Sequence, residues 1–164
     1  MRTQMVLETL YIALLGVTLG ATITLGAIVA PVVFKAAMYI DNVEIDVFAS
    51  GRLMSEIFRR YAIFASIALA YSAFYEIWRF WKGDRFISIL TLAAIAFVSG
   101  GLFAWYYTPA ILALQDSGIE ATQTLKFDSL HSQSVSVFKI FALSSGALLI
   151  YRVSRLFKGR SVFP

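Results

Sequence analysis

Four apolar stretches, Leu10–Phe34, Tyr61–Phe80, Phe86–Leu114 and Val135–Tyr151, fill most of this 164-residue chain. About 20 helical residues cross the hydrocarbon core of a bilayer, and each stretch is near that length. The sequence therefore predicts an all-α integral membrane four-helix bundle. It is a single domain over 1–164, with helices at roughly 8–38, 52–81, 86–115 and 125–157.

The composition narrows what such a bundle does. With 59% hydrophobic and 15% charged residues, and about 80 to 90 residues in bilayer, no room is left for a soluble catalytic domain. The absence of Cys excludes a disulfide framework, a thiolate metal cage and a cysteine nucleophile. The expectation is a protein that is not an enzyme and carries no resident cofactor. Arg2 precedes the first apolar run and Ala27–Ala30 is rich in small residues. The run is nevertheless too long for a signal-peptide core, and Pro31 would follow directly on any cut, so it is read as a retained first helix.

A net charge of +4 reads here as topology rather than as attraction to nucleic acid. Four spans put both termini and the middle turn on one side, with Arg2, Arg79, Lys82, Arg85, Arg152, Arg155, Lys158 and Arg160. Asp41, Glu44, Asp46, Glu56, Asp116, Glu120 and Asp128 fall on the other, together with Lys35, Arg52, Arg59, Arg60, Lys126 and Lys139. The positive-inside rule then gives an N-in, C-in protein of a bacterial inner membrane, both termini cytoplasmic. Tyr11, Trp78, Trp81, Phe86 and Tyr151 are expected to ring the inner interface. Tyr39, Tyr61, Trp105, Tyr106 and Tyr107 are expected to ring the outer one. Lys82-Gly83-Asp84 reads as a tight inner turn.

Small residues mark expected helix contacts, because close backbone approach replaces the hydrophobic effect in lipid. Ala13, Gly16, Gly20, Thr24, Ala27 and Pro31 form a stripe on the first helix. Ala62, Ser66, Ala70 and Ala73 form one on the second, and Ala93, Ala96, Gly100 and Ala104 one on the third. Gly16 and Gly20 match GxxxG, for which packing inside the chain is preferred over a dimer. The first and third helices also share glycines followed by a proline, Pro31 and Pro109, a faint twofold correspondence.

Two outward-facing segments carry the polar chemistry. Around Gly51–Tyr61, Arg52, Glu56 and Arg60 share a helical face, so Glu56 can pair with both arginines. The plain reading is a solvated helix start with Arg59 and Arg60 at the headgroups, and the functional one a charged vestibule. At the start of the fourth helix, Asp128, Ser132 and Lys139 lie along one side, with His131 alongside and Ser134 on a neighbouring strip. Lys139 is placed about 10 Å inside the bilayer, where it pairs with Asp128 or Glu56 or snorkels outward. His131, the chain's one histidine, is a weak metal-ligand candidate with Asp128 and Met54. Its plain reading is an interfacial histidine bonded to a neighbouring carboxylate or carbonyl.

The order of these elements is informative as a whole. A first helix ends in Ala30-Pro31-Val32-Val33-Phe34, and Gly51-Arg52 and Phe58-Arg59-Arg60-Tyr61 introduce the second. Thr108-Pro109 ends the third, and Phe127-x-x-Leu130-His131-x-x-Ser134 opens the fourth. This pattern resembles the transmembrane protein 205-like family of four-helix membrane proteins, catalogued as a domain of unknown function. It is more distantly similar to copper-resistance membrane proteins of the CopD type. The resemblance implies metal-ion or small-solute handling and supplies no catalytic residues.

Three functions are therefore expected in turn. The first is transport of, or tolerance to, a metal ion or small solute through the cluster Glu56, Arg59, Arg60, Asp128, His131, Ser134 and Lys139. The second is a structural or assembly subunit, as a homo-oligomer or in a larger membrane complex. The third is a haem-dependent redox protein with His131 as axial ligand. The lipid bilayer is a partner in all three.

Overall fold

A computed structural model describes residues 2–40 and 45–160, with side chains from Thr3 to Phe157. Asp41 and Glu44 lie outside the described residues, as do the side chains of Arg2, Lys158 and Arg160. Four long apolar helices make up the chain. The first span is Thr3–Phe34, the second Val47–Trp81, the third Ile87–Asp116 and the fourth Leu125–Phe157, its helix continuing to Arg160. All four are long and apolar enough to cross a bilayer, and the protein is an integral membrane helix bundle. One end of the bundle carries the termini and the turn after Trp81, and is called here the terminus side. The connections after Phe34 and Asp116 form the loop side.

Local chemistry sets the helix ends. The second helix starts at Val47 rather than near 52, because the Asp46 carboxylate accepts from the Ala49 N–H at 2.6 Å and caps the first turn. Gly83 permits the tight turn between the second and third helices, with φ +94°.

Two helices widen on their way to the loop side. A π-helical turn occupies Leu25–Val29 in the first helix and Phe103–Tyr107 in the third. Pro31 and Pro109 each lie two residues beyond. A proline lacks the N–H and clashes with the carbonyl four residues back, so the preceding turn must be rearranged. Phe103 O accepts twice from Thr108 at the end of the third helix's π-turn, from the backbone N–H and from the hydroxyl at 2.8 Å. The shared offset gives the first and third helices a common local geometry, in line with their sequence correspondence.

Packing follows the small residues on the third helix and departs from them on the first. A Cβ on Gly100 would come within 2.8 Å of the Phe141 ring, so this glycine lets the third and fourth helices close. Ala96 and Ala104 are buried beside it. On the first helix the expectation of a packing stripe is overturned. Ala13, Gly20 and Thr24 are exposed, and nothing lies within 4 Å of a Cβ built on Gly16 or Gly20. The buried face is instead Tyr11, Leu15, Thr18 and Thr22, held inward by the bonds of Tyr11 to Glu76 and of Thr22 to Tyr61.

Two core clusters result. Tyr61, Leu69, Phe103, Phe138 and Phe141 fill the middle of the bundle, and Tyr11, Leu15, Tyr75, Ile89 and Leu148 fill its terminus side. Tyr11 and Tyr61 are thus core residues rather than members of interfacial rings. Trp81 is exposed at the end of the second helix, and Trp105 is exposed along the third, its indole N–H donating to Ser66.

Candidate functional site

Polar groups gather in two places. The first is a charge network on the terminus side, nearly closed to solvent. Glu76 is 5% exposed and Arg152 3%. The Arg152 guanidinium grips both oxygens of Glu76, with Nε donating to Oε1 at 3.1 Å and Nη2 to Oε2. Tyr11 donates its hydroxyl to Oε1 at 2.6 Å. The third donor of Arg152 reaches Asp84 in the turn, at 2.8 Å. Asp84 also accepts from Arg79 at 2.7 Å and Arg155 at 2.8 Å. Burial alone would raise the Asp84 carboxyl, but the hydrogen bonds from Arg152 and Arg79 prevail and hold it down at about 2.

This network ties the first, second and fourth helices to the turn before the third. Its charged groups all face partners, two carboxylates against three guanidiniums. Such closure is what an ionisable cluster near the end of membrane helices needs. At this end, among the described residues, the buried Tyr75 hydroxyl is left without a partner, its ring stacked on Tyr11 at 4.1 Å. None of this was foreseen from the sequence, where Arg79, Arg152 and Arg155 were counted as topology charges and Glu76 was passed over. The signal was present. Glu76 is the lone acid inside the second apolar stretch.

The second place is a cavity of about 980 Å³ in the loop-side half, walled by all four helices. Its size is that of a small-molecule site, and its walls are mainly apolar, Phe34, Phe103, Ile111 and Phe138 among them. Most hydroxyls on the wall are already used. Thr22 donates to Thr18 O and Ser134 to His131 O, both at 2.7 Å. Gln115 is different. It is 4% exposed and borders the cavity, and its side-chain Oε1 has no hydrogen-bond partner among the described residues. A buried acceptor left unmade costs about 1–3 kcal/mol, so this atom calls for a donor.

The fourth helix supplies the charged wall. Asp128, His131, Ser134 and Lys139 all line the cavity, with buried Met54 opposite on the second helix. Lys139 has no ion pair among the described residues, and Asp128 lies three turns away, about 16 Å along the helix. His131 sets its ring parallel to Phe127, centroids 6.2 Å apart, and has no hydrogen bond to a carboxylate among the described residues.

The expected single outward cluster is therefore two. Glu56, Arg59 and Arg60 lie outside the cavity wall and form their own exposed ion triad, with Glu56 bonded to Arg59 at 2.6 Å and Arg60 at 2.8 Å. Glu56 is thereby unavailable to Lys139. Arg52 does not reach Glu56 either. It pairs with Asp116 on the third helix at 3.0 Å, because the two helices start and end side by side there. Met54, Asp128 and His131 share the cavity, yet among the described residues no group of three His, Cys, Asp or Glu is placed to hold a metal ion. Gln115 was missed. Gly51 of the second helix packs against it, with space for a Cβ at 3.4 Å from the side-chain nitrogen.

Residues 13–120 match the family described as a domain of unknown function, DUF4149, and the chain belongs to that family. The match spans most of the first three helices and ends before the fourth, so Asp128, His131, Ser134 and Lys139 lie beyond it. No curated protein and no solved structure matches the chain.

Proposed function

We propose that the protein binds a small amphiphile in the loop-side cavity and handles it within the membrane as a solute, without catalysing a reaction on it. The observation that carries this reading is Gln115, an unpartnered acceptor on the wall of a large, mainly apolar cavity. The apolar wall suits an apolar body. Gln115 asks for a hydroxyl or N–H, and the ammonium of Lys139, unpaired among the described residues, favours a negative head. A single-chain anionic amphiphile with hydroxyls on its head meets all three demands. The metal-ion reading draws less support, since His131 has only Asp128 and Met54 near it on the wall. We place the terminus side in the cytoplasm of a bacterial cell, on the strength of Arg79, Lys82, Arg85, Arg152 and Arg155 at that end.

Fluorescently labelled lysophosphatidylglycerol, titrated into the detergent-purified protein, tests the reading. Binding by the wild type, weakened about tenfold in Gln115→Met and in Lys139→Gln, is expected; tenfold corresponds to about 1.4 kcal/mol. Equal affinity in all three proteins overturns it.

A second reading, an assembly subunit, is favoured by the outward turn of Gly16 and Gly20, whose neighbourhood is open. Gly16→Leu with Gly20→Leu would then abolish co-purification of a partner or of a second copy. An unchanged native mass in the membrane extract would dismiss it.

A further inference from the structure

A second cavity, of about 450 Å³, lies on the terminus side of the first. The exposed side chains of Ile77 and Phe97, with Phe80 and Trp81 at the end of the second helix, rim it, so it opens sideways toward lipid between the second and third helices. Its inner wall is the terminus-side core, through Leu15 and Leu148, and Glu76, whose carboxylate is held by Arg152.

The partition between the two cavities is thin and made of side chains. On the first helix Thr18 lines one cavity and Thr22 the other, one turn apart, about 6 Å. On the fourth helix Phe138 borders the larger and Phe141 the smaller. Tyr61 and Phe103 complete the layer, with the Phe103 and Phe138 rings 4.8 Å apart and Tyr61 edge-on to Phe138 at 6.1 Å. One polar bond latches it. Thr22 spends its own proton on Thr18 O, so the Tyr61 hydroxyl is the donor to Thr22. The layer also sits where the backbone is already rearranged, because Phe103 opens one π-helical turn and the other begins at Leu25, three residues past Thr22. Such turns recur at functional positions in helices.

We propose that the two cavities are stations on one route, along which the amphiphile passes between the loop-side opening and the lipid beside the second and third helices. The layer around Tyr61 is the gate of that route. The proposal rests on amphiphile binding in the loop-side cavity and adds passage to it. The polar head enters from the loop side, where Gln115 and Lys139 meet it, and the chain leaves through the lateral mouth. That mouth is apolar enough to exchange with lipid without exposing unpaired polar groups.

Reconstitution into vesicles of phosphatidylethanolamine and phosphatidylglycerol tests passage. The probe is lysophosphatidylglycerol with a fluorescent nitrobenzoxadiazole on its chain, and added dithionite bleaches the outer leaflet alone. Tyr61→Phe, which removes the latch, and Phe138→Ala, which thins the layer, are expected to speed the slow bleaching phase several-fold over wild type. Ala73→Trp, which fills the lateral cavity, should bring Tyr61→Phe back to the rate of protein-free vesicles. It should leave binding of the same probe in detergent unchanged. Should Phe138→Ala fail to fold, Tyr61→Phe decides alone, since it deletes one oxygen. Normal binding with wild-type rates in Tyr61→Phe overturns the route and leaves the binding site standing. Absence of binding in the wild type overturns both.

Discussion

The two ends of this bundle treat buried polar groups in opposite ways. On the terminus side, Glu76 and Asp84 are matched by Arg79, Arg152 and Arg155, and each carboxylate is gripped by at least two donors. On the loop side, among the described residues, the buried Oε1 of Gln115 has no partner and Lys139 has no carboxylate, both beside a large cavity. A charge set this well satisfied has nothing left to offer a ligand, and its work is to fasten helices. A polar group left wanting, next to empty volume, is where a ligand is worth binding. The unpartnered Tyr75 hydroxyl sharpens the rule, because it borders neither cavity and has no ligand within reach.

Breaking the network should give the largest effect. Arg152→Ala strands Glu76 and removes one donor from Asp84, and loss of one partner from a buried pair costs about 3–5 kcal/mol. The thermal midpoint in detergent should fall further than for any other single change at this end. A midpoint within error of wild type would show that the network is not the fastening it is taken to be.

Gln115→Met should act next, and with the opposite sign. Replacing the orphaned amide by an apolar side chain of similar length relieves about 1–3 kcal/mol of unmade hydrogen bonding in the empty protein. The variant should melt higher without ligand and gain less on ligand addition than wild type does. A lower midpoint without ligand would mean that Gln115 is satisfied in the empty state.

Acid should separate the two ends as well. The folded-state carboxyl of Asp84 lies at about 2, below its ordinary value of 3.8. Its contribution is therefore complete above about pH 4 and is lost as pH falls toward about 2. Asp84→Asn removes that dependence. Wild type and Asp84→Asn should differ most at neutral pH and converge in acid, and a constant gap across the range would contradict the assignment.

The helices were legible because lipid imposes a length and a polarity that composition displays directly. Helix number, the glycine-bearing turn at Gly83 and the close packing at Gly100 follow from residues read one segment at a time. Partner choice across helices does not. Glu76 and Arg152 are 76 residues apart in sequence, and nothing local to either names the other. The stripe on the first helix was misread for a related reason. Small residues allow close approach but do not compel it, and two hydrogen bonds from Tyr11 and Thr22 were enough to turn the opposite face inward. Gln115 was illegible because its burial comes from packing against another helix, where Gly51 faces it.

The smallest effect should come from the most heavily charged surface feature. Glu56 with Arg59 and Arg60 has the sequence signature of a site, three ionisable residues within two turns, and short contacts of 2.6 and 2.8 Å. Yet the arginines stand in solvent or among headgroups, where screening and side-chain entropy consume most of what an ion pair offers. Glu56→Gln should therefore leave the thermal midpoint, lysophosphatidylglycerol affinity and the bleaching rate of reconstituted vesicles at wild-type values. A loss of binding in Glu56→Gln, with Gln115→Met unaffected, would move the site out of the cavity and onto the exposed triad. That outcome would reverse the contrast, making charge rather than unmet hydrogen bonding the mark of function at this end.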